Sequence, residues 1–133
     1  MKNNRPPDFP FVKDKKHIYN KFIDKEVSRV NVGWAIFSLE LHSELYEGDQ
    51  KVDGVCDWED HKIKLEMNLS DSDARETIIH ELYHCMLEAV GFDEKNFDQQ
   101  RMFLTNEQVV VALSKQTMTL HHLNPKLFSI IYA

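Results

Sequence analysis

Residues 70–91 read SDSDARETIIHELYHCMLEAVG, and this stretch decides the fold. Ser70, Asp71, Ser72 and Asp73 offer side-chain oxygens that cap a helix N-terminus, and carboxylates there suit the positive end of the helix dipole. Ile78, Ile79, Leu82, Cys85, Met86 and Ala89 then recur at helical spacing as one apolar stripe, and Gly91 supplies a left-handed stop. The spacing predicts a long amphipathic helix whose stripe faces a core. Its other side carries His80, Glu81 and His84, the pattern H-E-x-x-H. Residues four apart lie one turn along the same helical face, so both imidazoles can reach one metal ion. Glu81 lies beside that face, within reach of a water held by the ion.

Upstream of the helix, residues 52–58 and 62–67 predict a hairpin around the turn Glu59-Asp60-His61. In its second arm Ile63, Leu65 and Met67 alternate with Lys62, Lys64 and Glu66, the period of a half-buried strand. Residues 30–41, rich in Val, Ile, Trp and Phe, predict a third strand, and 42–51 a loop. Ile18, Tyr19, Phe22, Ile23 and Val27 predict an N-terminal helix over 14–27, with lysines on its wet side. Residues 1–12, with Pro6, Pro7 and Pro10, read as an extended segment ahead of a single domain over 13–133. Downstream, 91–104 predict a connecting loop. The capping pair Thr105 and Gln108 then starts a last long helix, with Val109, Val110, Ala112, Leu113 and Leu120 on its core face. Asn124-Pro125 ends it, and the apolar tail from Leu127 to Tyr132 is expected to pack back on the domain. Helix, three strands, helix, helix: the expected class is α+β with a small three-stranded sheet.

Composition narrows the function. Among 133 residues, 22 acidic and 16 basic side chains give a formal charge of −6. That sign disfavours a phosphate-binding surface, so no nucleic acid is expected as a partner, and the lysines at 13, 15, 16, 21 and 25 read as a solvated helix face. No apolar run approaches the roughly 18–20 residues that span a bilayer, so no membrane is expected either. The Pro-rich start lacks the apolar region of an export signal, and two cysteines make no disulfide framework; the expected location is cytoplasmic.

Catalytic zinc takes three protein ligands and one open position, so His80 and His84 need a third. Glu88 follows His84 by one turn, but three ligands from successive turns of one helix converge poorly. Asp93 follows the glycine stop, and His121 and His122 would need a helix end folded over the site. Glu107 is the preferred choice, in the first turn of the next long helix, where an antiparallel start near the metal would present it. The metal is expected to be one catalytic Zn2+.

HELYH followed by Asn106-Glu107 on the next helix resembles the gluzincins, the thermolysin-like zinc peptidases whose third ligand is a Glu in an N-E-x-x motif. At this length the chain looks like a minigluzincin, the reduced single-domain form of bacterial and phage proteins related to ImmA/IrrE and SprT-like domains. The resemblance covers about residues 30–120 and implies a minimal zincin fold with metal ligands His80, His84 and Glu107. It departs at Val111, where the thermolysin-like pattern has an Asp that supports a histidine; Glu88, Asp93, Asp98 or a backbone carbonyl would have to take that role.

The resemblance implies hydrolysis of peptide bonds in a protein substrate. Glu81 would act as general base on a zinc-bound water and then return the proton to the leaving amine. Gly54, Val55, Cys56, Asp57 and Trp58 would form the edge strand that binds an extended peptide through main-chain hydrogen bonds. Tyr83, His121, His122 and Tyr132 are candidate donors to the oxyanion. A domain this small lacks a second wall for its cleft, so a partner protein completing the site is also expected. The alternative is a zinc-stabilised, non-catalytic protein-binding module of phage or mobile-element type. Against it, Glu81 has no role in a structural site. Neither cysteine is placed as a ligand: Cys85 falls on the core stripe and Cys56 on the proposed edge strand.

Overall fold

Ser70 starts the central helix as expected. Its hydroxyl oxygen accepts from the Asp73 backbone N–H at 3.2 Å, and its carbonyl accepts from Ala74 at 2.8 Å. In the computed structural model, which describes residues 15–89 and 106–133, this helix is α2 (Asp71–Ala89). Ahead of it come α1 (Ile18–Asp24), β1 (Arg29–Asn31), β2 (Ile36–His42), β3 (Tyr46–Glu47), β4 (Gln50–Lys51), β5 (Gly54–Asp57) and β6 (Lys62–Glu66). After it come α3 (Asn106–Leu123) and α4 (Pro125–Ile131). The class is α+β, as the element order predicts. The segment 1–12, the connection 91–104 with Gly91, Asp93 and Asp98, and the capping residue Thr105 lie outside the described residues.

The sheet has four strands in the order β1-β2-β6-β5 rather than three. The expected single strand over 30–41 is broken. Gly33 takes φ +102 at the first central position of a turn, Val32 N–H donates to the Ala35 carbonyl at 3.0 Å, and β1 folds back antiparallel on β2. A second correction falls in 42–51, where β3 and β4 pair as a small separate hairpin about Gly48 and Asp49. The expected hairpin is present as β5 and β6, antiparallel, with Cys56 opposite Ile63 and Gly54 opposite Leu65. β2 lies parallel to β6, so Leu39 and Leu41 stand beside Ile63 and Leu65 on one face. That face is core, because all four side chains are buried.

α2 covers this face with Ala74, Ile78, Leu82, Cys85 and Met86, and α1 adds Ile18, Tyr19 and Phe22 to the same core. α1 is shorter than predicted and starts at His17, which caps it. His17 Nε2 donates to the Leu69 carbonyl at 2.8 Å while Nδ1 accepts from Tyr19 N–H at 3.2 Å, fixing the tautomer. The opposite sheet face is polar: Glu40 sits between Lys62 at 3.0 Å and His42 at 2.9 Å, and Lys64 lies 3.5 Å from Asp57.

Two clamps fix the ends of α2 and α3. Asp71 accepts from the Ile18 N–H at 2.7 Å and from Arg75 Nε at 2.9 Å, and Arg75 Nη1 donates to the carbonyls of Ile131 and Ala133 at 2.6 and 2.8 Å. Asn124, buried where α3 meets α4, accepts from Asn31 N–H and donates to the Asn31 carbonyl, both at 2.8 Å. The apolar tail is the helix α4, packed through Leu127, Phe128, Ile130 and Ile131. The expected core stripe of α3 is corrected: Val110 is 48% exposed, and of the described side chains of α3 only Leu120 is buried. Among the described residues no helix is long and apolar enough to cross a membrane.

Candidate metal centre

One turn of α2 brings His80 and His84 together, with ring centroids 4.8 Å apart and the rings nearly perpendicular. Their Nε2 atoms are 3.1 Å apart. Two nitrogens at about 2.0–2.1 Å from a tetrahedral ion would stand roughly 3.3 Å apart, so the pair matches the bite of such an ion without rearrangement. A carboxylate oxygen of Glu81 joins them, the three ligand atoms all lying within 4.8 Å of one another. The three side chains can therefore hold a metal ion. His80 and His84 are exposed and Glu81 is 5% exposed, so the histidines open to solvent while the carboxylate stands at the floor of the group.

The floor is β5. A methyl group at Gly54 would meet Thr77 Cγ2 at 2.8 Å and Glu81 Cγ at 2.9 Å. Only a residue without a side chain lets the strand approach α2 this closely. Burial pushes the Glu81 carboxyl above the usual carboxylate range; His84 and His80 pull it back, and Glu47 of β3 adds a smaller push upward. A cavity of about 200 Å3 beside His80 is lined by Asp53, Asp73, Glu76 and Thr77. Its three carboxylates add to a local field that favours a cation over an anion.

Gly54 to Asp57 form an edge strand of the four-stranded sheet, where the resemblance puts one. Val55 and Asp57 take the polar face, whereas Cys56 turns inward. Trp58, just past the strand, stacks on Trp34 at 5.1 Å and meets Phe37 edge-on at 5.5 Å, which ties the β5–β6 hairpin to β2. Glu107 is exposed in the first turn of α3 and is not among the clustered ligand atoms. α3 meets α2 near Thr117, Leu120 and His121, and Glu107 is 13 residues before Leu120, or about 20 Å along the helix.

Of the candidate oxyanion donors, Tyr83, His121 and Tyr132 line one small apolar pocket with Leu82, Met86 and Phe128. His121 stacks on Phe128 at 3.8 Å. His122 is exposed and lies outside that pocket. The sequence reading passes over Thr77 and the carboxylates of Asp53 and Glu76, because strand-end and helix-face residues become neighbours only once β5 is docked. The signal that was present is Gly54, a glycine inside a strand pattern, which marks a close approach of another chain segment. No family model, no curated protein and no solved structure matches this chain, so no relative assigns a role to these side chains.

Proposed function

We propose that this chain is a zinc-dependent peptidase of the gluzincin type, working at His80, Glu81 and His84. One observation carries the reading: a buried carboxylate lies within 4.8 Å of two exposed imidazoles and against an edge strand. A staple for folding needs no such carboxylate, whereas hydrolysis needs a base beside the metal. The donor set suits zinc, which accepts imidazole nitrogen and carboxylate oxygen at short range. His80 and His84 would hold the ion; Glu107, the third ligand that the resemblance implies, stands about 20 Å along α3 from that helix's contact with α2 and would reach the ion only if α3 shifted.

Bound zinc supplies a Lewis acid that brings the pKa of water close to neutrality. Glu81 takes the proton from the attacking water at its carboxylate and delivers it to the leaving amine. β5, the outer strand of the described sheet, offers its edge to an extended peptide, whose main-chain groups extend the sheet by one strand. Such pairing is blind to side chains, so the substrate is a protein or peptide with an extended segment.

The test separates metal binding from chemistry. Zinc content should fall in His80→Ala and in Glu107→Ala; loss in the first alone would remove Glu107 from the ligand set. Glu81→Gln should keep zinc and lower hydrolysis of an unfolded protein substrate by about 100-fold or more. If the zinc-loaded wild type cleaves nothing across a broad panel of unfolded proteins, the peptidase reading fails, and the non-catalytic zinc module takes its place.

A further inference from the structure

Cys56 lies on β5 and Cys85 on α2, 29 positions apart in sequence, with their Sγ atoms 2.7 Å apart. Both are free thiols, Cys85 buried and Cys56 half-buried. The pair continues the contact line that begins where Gly54 meets Thr77 and Glu81, one helical turn further along α2. Neither sulfur belongs to the metal group; Cys85 faces the sheet while His80 and His84 face outward. A disulfide bond is about 2.05 Å long, so closure asks the two sulfurs to move by about 0.7 Å. The tight packing of β5 on α2 holds them in place for it.

We propose that Cys56 and Cys85 are a redox modification site, a dithiol that closes to an intramolecular disulfide joining β5 to α2 beneath the metal centre. The oxidant is a small disulfide of the glutathione class. Cys56, the less buried of the two, attacks it as a thiolate after giving its proton to solvent. A mixed disulfide forms at Cys56, and one glutathione leaves and takes up a proton. Cys85 then attacks the Cys56 sulfur and gives up its own proton, and the second glutathione leaves as a thiol. Two protein thiols lose two electrons and two protons, and one small disulfide becomes two thiols. The closed loop contains β6 and most of α2, so the bond restrains the unfolded chain while leaving both histidines free. The inference stands whether or not the metal centre is catalytic.

The test uses the purified chain, fully reduced and then incubated with oxidised glutathione. The reaction is quenched in denaturant with an alkylating agent and read by mass spectrometry. The expected product carries neither alkyl groups nor glutathione and yields a peptide pair linking Cys56 to Cys85. Its melting temperature should rise and return on reduction. Glutathione retained at Cys56 with Cys85 still alkylatable, or a disulfide between two chains, would overturn the proposal. A linked product that melts earlier would overturn the stapling role. In Cys56→Ser the same treatment should leave Cys85 unmodified, and glutathione on Cys85 there would contradict the order of steps.

Discussion

Helices α2 and α3 are nearly equal in length, 19 and 18 residues, yet they are held in opposite ways. α2 is buried along its length by Ala74, Ile78, Leu82, Cys85 and Met86, and its first turn is tied to α1 and α4 through Asp71 and Arg75. α3 buries Leu120 near one end and is clamped there by Asn124, while Glu107, Val110 and Val111 at the other end are exposed. The difference teaches what each helix can contribute to a site. A helix buried along one face fixes two ligands one turn apart before any metal arrives. A helix whose side chains are so exposed around Glu107 does not fix that carboxylate by packing, so in the proposed reading the metal would have to do so.

The largest expected effect that would break this comparison lies in packing. Leu82→Ala should destabilise the fold by about 2–5 kcal/mol, because it leaves a cavity between α2 and the sheet, whereas Val110→Ala should stay within about 0.5 kcal/mol. Denaturant midpoints of the two variants decide it, and equal losses would place α3 in the core after all. Next comes the floor of the site. Gly54→Ala pushes a methyl group into Thr77 and Glu81 and should cost about 1–3 kcal/mol by overpacking. Glu81 Cγ is one of the two crowded atoms, so any hydrolytic activity should fall along with stability; a neutral outcome would mean that β5 does not bear on α2.

The smallest effect concerns the tie at the start of α2. Burial alone would raise the Asp71 carboxyl, but the Ile18 N–H and the Arg75 guanidinium outweigh it and hold the group below the usual carboxylate range. A carboxyl lowered in the folded state adds stability that is present above its unfolded value of about 4 and is lost as pH falls through the folded value. Asp71 is partly exposed, so its share is about 1 kcal/mol or less. Between pH 5 and pH 3 the wild type should lose more melting temperature than Asp71→Asn. Parallel losses would show that the tie contributes nothing.

The same contrast explains what is legible in the sequence. α2 can be read because its cap at Ser70, its apolar stripe and its H-E-x-x-H face are local signals that agree. The β5–β6 hairpin is legible for the same reason, through the alternation from Lys62 to Glu66. The break at Gly33 is hidden because Val32, Trp34 and Ile36 keep the strand period running through the turn. β3 and β4 leave only Gly48-Asp49 as a trace, their strands being two residues long and exposed. The parallel pairing of β2 with β6 depends on which side chains share a core face, and no local pattern encodes that. His17 shows the limit for single residues: no local pattern marks it, yet it is buried as the cap of α1 with a carbonyl partner on Leu69. In the site, His80, Glu81 and His84 are legible from spacing alone. Gly54 and the pairing of Cys56 with Cys85 are contacts between distant segments, and the periodic valines of α3 suggest a core face that the packing does not use.

The central claim is that α2 carries a metal centre at His80 and His84. The direct measurement is zinc bound per chain after dialysis against zinc and then against metal-free buffer, for the wild type and for His84→Ala. The account predicts one zinc per wild-type chain and none retained by the variant, with the fold intact by circular dichroism. Wild-type protein without zinc, or a folded His84→Ala variant that holds zinc equally well, would contradict it.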